Sequence, residues 1–439
     1  MTEHVAVEGL NGVLIKRRDV TTGAGFRSYE VHQRERVGQS TALVKPGQFI
    51  SSAFARDPYP LLSILREHYP CYLNWVTNDF WITRYDDVTS VFVDDANFET
   101  RPRSWYFRVE GMGRDFGQAL PVLQSQAAYL DAHARTTAER ILADMSQNGG
   151  GDLAIDLAAR LPLELLVGWL GLPDEHVDAF VAHYLNMQQN VVWEPKLREA
   201  GVQSMHALVD MLRPLLAARR ASPGDDLLSV MAQLPADGGP VQAEDVVITL
   251  LERDFETLHG GLANLFYLLL THPDALAQVR ADRLLVKFAY LETMRHSAPV
   301  PFAQRFAIHE VERFGRLLPE GALVICAAAA GNRDPRVFAN PDHFDVARKD
   351  ICQREPRGQF RADGLASGIT FGVGKPSRYP VLPEDRPRSL YALTRDVAVW
   401  ATNALLDAAP DLRLDGPAEA PRSLRLHGMH CCQKLVVKF

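Results

Sequence analysis

The chain has 439 residues, 47% hydrophobic and 23% charged, which excludes wholesale disorder and collagen-like repetition. Lys plus Arg is 47 against 54 Asp plus Glu, a formal net charge of −7, so there is no overall drive toward nucleic acid or an anionic membrane. Five cysteines (Cys71, Cys326, Cys352, Cys431 and Cys432) include no Cys-x-x-Cys pair; they are too few for a disulfide scaffold and suit a reducing compartment. The start, Met1-Thr-Glu-His, lacks the basic and apolar regions of a secretory signal. The longest apolar stretches, such as Leu262 to Leu270, fall short of the ~20 residues a membrane helix needs. A cytoplasmic protein with no nucleic-acid or membrane partner is expected.

In chain order, residues 1–48 show weak periodicity and scattered charge and are expected to form an N-terminal extension, with one domain over 49–439. Asp57-Pro-Tyr-Pro is a turn signal, and a helix follows over Leu61 to Glu67. Tyr72-Leu-Asn-Trp and Phe80-Trp-Ile-Thr-Arg-Tyr alternate and predict a short hairpin. Asp86 to Val93 predicts another helix. From about Pro121 to Val279 nearly every segment has helical periodicity, broken at Asn148-Gly-Gly-Gly-Asp, Leu172-Pro-Asp and Ser222-Pro-Gly-Asp-Asp. One long helix is expected from Ala243 to about Leu270, stopped by Thr271-His-Pro-Asp. Short strands follow at Gln304 to Ile308 and Ala322 to Ala327. A last helix spans about Tyr391 to Ala408, and Leu424 to Phe439 alternates like strand. The fold class expected is mainly α with small β elements at both ends.

Leu291-Glu-Thr-Met-Arg295, Gly331-Asn-Arg-Asp-Pro and Glu256-Thr257 together resemble cytochrome P450. Leu291-Glu-Thr-Met-Arg295 is similar to the family's Glu-x-x-Arg helix. Leu318-Pro-Glu-Gly and Gly331-Asn-Arg-Asp-Pro-Arg-Val-Phe-Ala-Asn-Pro-Asp-His-Phe-Asp345 resemble its meander. Glu256-Thr257, within Arg253-Asp-Phe-Glu-Thr-Leu-His-Gly-Gly261, resembles the central helix that crosses the haem face. The resemblance covers roughly residues 50–439 and implies the cytochrome P450 fold, with Glu292 and Arg295 as a buried structural pair. His343 stands where many relatives have an arginine, so that network is expected to be altered.

Three departures bear on function. The family's cysteine loop aligns with Phe371-Gly-Val-Gly-Lys-Pro-Ser-Arg-Tyr-Pro380. Arg378 falls at the ligand cysteine, with Pro376 and Pro380 at a basic residue and a glycine. A guanidinium offers donors only and cannot bind iron as the family's thiolate does. On the central helix Leu258 replaces the second threonine, to which the resemblance assigns oxygen handling, and Arg253 replaces a small alanine. In the propionate-binding motif His133 is kept, but Thr137 stands at the arginine, and Arg135 is two positions early. Arg305 matches a second propionate arginine. Together these departures lead to the expectation that haem is absent and that the chain has no cofactor and no metal.

Arg378 then has three readings: a salt bridge with Glu256 or Asp254, a solvent-facing loop residue, or an anion ligand. Arg253 is read as paired by neighbouring carboxylates. Glu256 is a candidate acid or base if desolvated, or an arginine's partner. His427-Gly-Met-His-Cys-Cys432 could bind a metal at His427, His430 and the cysteines, but fits no standard zinc spacing and reads more simply as pocket lining or core. The leading expectation is a non-catalytic auxiliary partner of a glycosyltransferase in natural-product biosynthesis, with a possible homodimer. The alternative is a cofactor-independent enzyme whose candidate residues are Arg253, Glu256, His259 and Arg378, acting on a small natural-product ligand. A third is a haem protein with a non-cysteine ligand.

Overall fold

The computed structural model describes residues 43–102, 104–188, 195–235, 237–251, 253, 255–353, 365–373, 388–424 and 428–439, with short strands at 6–8 and 14–16. Most of the expected N-terminal extension, Asp254, Arg378 and His427 lie outside them, as does the side chain of Glu256.

The elements run in the order β1 (Ala6–Glu8), β2 (Leu14–Lys16), α1 (Ser52–Arg56), α2 (Tyr59–His68), β3 (Tyr72–Asn74), β4 (Asp79–Ile82), α3 (Tyr85–Phe92), β5 (Phe98–Glu99) and α4 (Ser104–Val109). Then come α5 (Leu120–Gln147), β6 (Gly150–Asp152), a π-helical turn over Leu153–Ala159, α6 (Arg160–Leu170), α7 (Val177–Met187), α8 (Pro195–Ala221), α9 (Leu227–Gln233), α10 (Ala243–Leu251) and α11 (Phe255–Thr271). The chain continues through α12 (Pro273–Ala281), α13 (Leu285–His296), β7 (Ala303–Ala307), β8 (Val311–Arg313), β9 (Arg316–Leu318), β10 (Leu323–Cys326) and α14 (Ala328–Gly331). It ends with α15 (Leu390–Ala408), β11 (Arg413–Leu414), β12 (Arg422–Leu424), β13 (Met429–Cys431) and β14 (Val436–Lys438).

The core of the helical part is a bundle of α5, the π turn with α6, α11 and α15. Its sequences explain the packing. On α5 the buried residues Ala134, Ala138, Ile141, Leu142 and Met145 recur at three- and four-residue spacing. On α15 the facing row is Val397, Ala398, Ala401, Ala404 and Leu405. The alanines let the two backbones approach closely. Ser389 caps α15 by accepting from the Ala392 N–H at 3.3 Å, and Gly171 at φ 75° ends α6 in the left-handed region.

A five-stranded sheet in the order β3-β4-β10-β7-β5 packs beside the bundle. β10 runs parallel to β4 and antiparallel to β7, in register Ile325↔Trp81 and Ile325↔Gln304. The hairpin and strands expected from the sequence are present. The single helix expected from Ala243 to Leu270 is two: α10 ends at Leu251 and α11 begins at Phe255. At the break the Arg253 N–H bonds back only three residues, to Leu250 O at 3.2 Å, a tightened turn that ends α10.

Candidate functional site

The Glu-x-x-Arg pair is where the sequence placed it. Arg295 grips Glu292 in bidentate fashion, Nη2 to Oε1 at 2.7 Å and Nε to Oε2 at 2.8 Å, and both side chains are fully buried. The third arginine expected to be lost at His343 is supplied by Arg348, whose Nε donates to Glu292 Oε1 at 3.1 Å. His343 gives its carbonyl instead, accepting from Arg295 Nη2 at 3.2 Å and Arg348 Nη2 at 3.0 Å. The expected alteration of the network is therefore corrected: the arginine is kept, entering from five residues further along the loop. Arg295 Nη1 also donates to the carbonyls of Asn332 and Pro341 at 2.9 and 2.7 Å. Bidentate charge-assisted bonds of this kind compensate the burial of the charges.

The Asn-Arg-Asp-Pro segment ties the meander to its neighbours. Asn332 accepts from the Ile369 N–H at 2.8 Å. Asp334 accepts from the Tyr85 N–H at 3.1 Å. Arg333 lies 3.4 Å over the Tyr59 ring and donates to His296 O at 2.6 Å. Burial and the nearby Arg333 push the His296 imidazole down to about 2, so it is neutral.

The central helix is the least regular part of the site. Arg253 is buried at the α10–α11 break, and its Nη1 donates to Gly117 O at 3.1 Å. A Cβ on Gly117 would meet that guanidinium and displace it from its place over the strap. Two further bonds hold the same strap: Arg114 to Asp245 at 2.6 Å and the Phe116 N–H to Thr249 Oγ1 at 3.0 Å. Thr257 is buried, and Leu258 packs in the apolar cluster with Leu161 and Leu165. His259 is partly buried on α11. The four candidate catalytic residues are not brought together as a described constellation: Arg253 faces the strap, Arg378 is outside the described residues, and so is the Glu256 side chain.

His133 does not join an anchoring site. It is exposed on α5, its ring 4.4 Å from that of Tyr129. Arg135 pairs with Glu139 one turn on, at 2.8 Å. Among the described residues no three His, Cys, Asp or Glu side chains gather as a metal site. His430 Nε2 donates to Arg56 O at 3.2 Å, and burial lowers its pKa. Burial pushes the Cys432 thiol up to about 11.

One clamp escaped the sequence reading. Asn264 of α11 is fully buried and donates through Nδ2 to Ser297 O at 2.8 Å and His430 O at 3.0 Å, while its Oδ1 accepts from the Cys432 N–H at 2.9 Å. It thereby joins α11 to the segment after α13 and to the terminal hairpin β12–β13. Its only trace in the sequence is a polar residue inside the apolar run Leu262 to Leu270.

A mainly helical bundle flanked by small sheets, with a buried Glu-Arg pair under a loop-rich meander, defines the class of fold. Comparison supports a family. The family profile described as Cytochrome P450 matches residues 241–350. The 6-deoxyerythronolide B hydroxylase of Saccharopolyspora erythraea is 28% identical over 83% of this chain and 98% of that protein. The cyclomarin C epoxidase CymV of Salinispora arenicola is 27% identical over 73% of this chain and 85% of the epoxidase. The ligand-free structure of cytochrome P450 TbtJ1 superposes with a TM-score of 0.70 at 22% identity, covering 90% of this chain and 99% of that one. The fold is the cytochrome P450 fold, and the profile match and relatives support that superfamily for this chain.

This relationship corrects the expectation that there is no cofactor. The relatives are cytochromes P450, which bind haem, and the finding points to haem. Among the described residues the fit is testable at Arg305. Its guanidinium lies 4.8 Å over the Phe92 ring and donates to Gln304 O at 2.8 Å, with no carboxylate bridged to it among the described residues. Burial pushes its pKa down. A desolvated cation with N–H donors to spare suits a carboxylate such as a haem propionate. Arg305 would hold that end of the group, and a bound haem would supply a redox-active iron. No described residue adds the iron's protein ligand.

Among the described residues no helix is long and apolar enough to cross a membrane.

Proposed function

We propose that this chain works in natural-product biosynthesis and takes up a macrolide- or cyclic-peptide-type intermediate. The observation that carries the reading is the alignment with nearly the whole length of the 6-deoxyerythronolide B hydroxylase, 98% of it, on a scaffold whose Glu292–Arg295–Arg348 lock is intact. The test is to express the full chain with haem supplied and measure bound haem by the pyridine haemochrome assay. Macrolactones with and without attached sugars are then titrated in while tryptophan fluorescence is followed. Saturable binding of one class supports the reading; no response across the panel removes it.

A second reading is favoured by Arg253 and Leu258. The cation at the helix break is engaged with Gly117, and the position assigned to oxygen handling is an apolar core residue. On this reading the chain is an auxiliary partner of a glycosyltransferase. Co-purification with the transferase of the same pathway, and a rise in its turnover on adding this chain, would support it. Turnover of an intermediate by this chain alone would favour the first reading.

A further inference from the structure

A cavity of about 370 Å³ opens between α8, the start of α10 and the strap at Met112. It takes no residue from α11 or from the Arg253–Gly117 contact. Its floor is apolar: Met205 and Val209 of α8, both buried, and the half-buried Met112. Positions 205, 209 and 213 recur every four residues, so one face of α8 supplies both floor and rim. Thioether side chains are flexible and polarisable, and such a floor adapts to an aromatic or branched hydrocarbon.

The rim is ionic and unbalanced. Arg213 donates through Nη1 to Asp210 Oδ1 and through Nη2 to Glu244 Oε1, both at 3.1 Å. One guanidinium thus serves two carboxylates and leaves a surplus of one negative charge. Asp210 Oδ2 and Glu244 Oε2 accept from no described residue. Beside them Asp245 is matched by Arg114, so that pair does not offset the surplus. The Arg213 pairs are largely solvent-exposed. Exposed pairs hold weakly, and an incoming cation moves the guanidinium aside at little cost.

We propose that this cavity binds a small organic cation, an ammonium carried on an aromatic or branched hydrocarbon body. The hydrocarbon rests on Met112, Met205 and Val209, and the ammonium donates to the open oxygens of Asp210 and Glu244. The volume falls within the roughly 300–1,000 Å³ of small-molecule sites. An anion would meet two carboxylates and a guanidinium already committed to them. A bare metal ion finds too few ligands, since among the described residues no three His, Cys, Asp or Glu side chains gather. The inference stands apart from the biosynthetic reading above, because it needs neither haem nor a partner protein.

The experiment labels the methionine methyl groups of the full chain with carbon-13. It then titrates 2-phenylethylamine and, separately, 2-phenylethanol, which has the same body without the charge. Affinity is read by calorimetry and position by the methyl NMR signals. The amine should bind about tenfold more tightly than the alcohol, the effect of one charge-assisted hydrogen bond, and should shift the signals of Met112 and Met205. Added salt should narrow that preference. The double variant Asp210→Asn, Glu244→Gln should lose the preference and keep the alcohol's affinity. Equal affinities for amine and alcohol in the unaltered chain would overturn the proposal, as would shifts confined to other methionines or a preference that survives in the double variant. The methyl shifts of the unaltered chain decide the location whether or not the variant folds.

Discussion

The Glu292 carboxylate serves two buried guanidiniums at once, Arg295 and Arg348, and also accepts from the Asp345 N–H at 3.1 Å. Glu292→Gln removes the charge but keeps the shape, leaving two cations in a low-dielectric site. It should cost about 3–5 kcal/mol, measured by urea unfolding. The Glu-x-x-Arg half of this lock was legible because three-residue spacing puts both side chains on one helical face. Arg348 was not, because it comes from a loop 56 residues away and no local pattern links it to the helix. Asp79 was equally hidden in an alternating strand. It is buried and accepts from Trp81 Nε1 at 2.7 Å and Thr77 Oγ1 at 2.8 Å. Desolvation nevertheless raises its pKa from 3.8 to about 6. The folded state thus holds the proton more tightly than the unfolded chain. The resulting stabilisation is full below about pH 4 and is lost as pH rises through about 6. Asp79→Asn should flatten this part of the stability–pH curve and raise stability at pH 7 by of order 1–3 kcal/mol. An unchanged slope between pH 4 and 6 would show that other groups carry it.

At the scale of elements, amphipathic helices and alternating strands were readable because their periodicity reports which face is buried. The last helix, expected from about Tyr391 to Ala408, spans Leu390–Ala408. The α10–α11 break was not readable. Residues 251–255, Leu-Glu-Arg-Asp-Phe, contain neither proline nor glycine, and local propensity favours continuing the helix. What stands at the break is a tertiary contact, the Arg253 guanidinium reaching the carbonyl of Gly117, 136 residues away. The terminal hairpin depends on tertiary contacts in the same way. Among the described residues β12 and β13 pair only with each other, and an isolated two-stranded ribbon is marginal in water. Asn264 supplies the attachment, reinforced by the His430 N–H to Pro299 O bond at 2.8 Å. Asn264→Ala leaves two carbonyls and one N–H without their partner. It should destabilise by about 2–4 kcal/mol and speed hydrogen exchange at the Cys432 amide. Slow exchange retained at Cys432 in that variant would mean the hairpin is held by its packing alone. Gly260 serves the same contact: a Cβ there would stand 2.6 Å from Pro299 Cβ, so alanine at 260 should push the segment after α13 and the hairpin off α11.

For the whole molecule, the strap over residues 112–119 connects the sequence departures to behaviour. In the chain as it stands, Arg253 engages this strap from the α10–α11 break, so its presence there is first a structural fact. Among the described residues the strap is fixed along α10 and its end by Arg114 to Asp245, the Phe116 N–H to Thr249, and Arg253 to the Gly117 carbonyl. The first is partly exposed and salt-sensitive, while the last is buried. The buried fixing should therefore set how often the strap opens. Arg253→Ala is expected to lower stability by about 1–3 kcal/mol, to increase proteolysis within 112–119, and to alter the affinity for any intermediate taken up beside α11. Gly117→Ala approaches the same state from the other side, since its Cβ displaces the guanidinium. The double variant should then cost less than the sum of the two single changes, because both remove the Arg253–Gly117 contact. Fully additive losses would mean that Arg253 and Gly117 stabilise the fold through separate partners. In that case the strap would be held chiefly by the Arg114–Asp245 pair, and raising the salt concentration would open it.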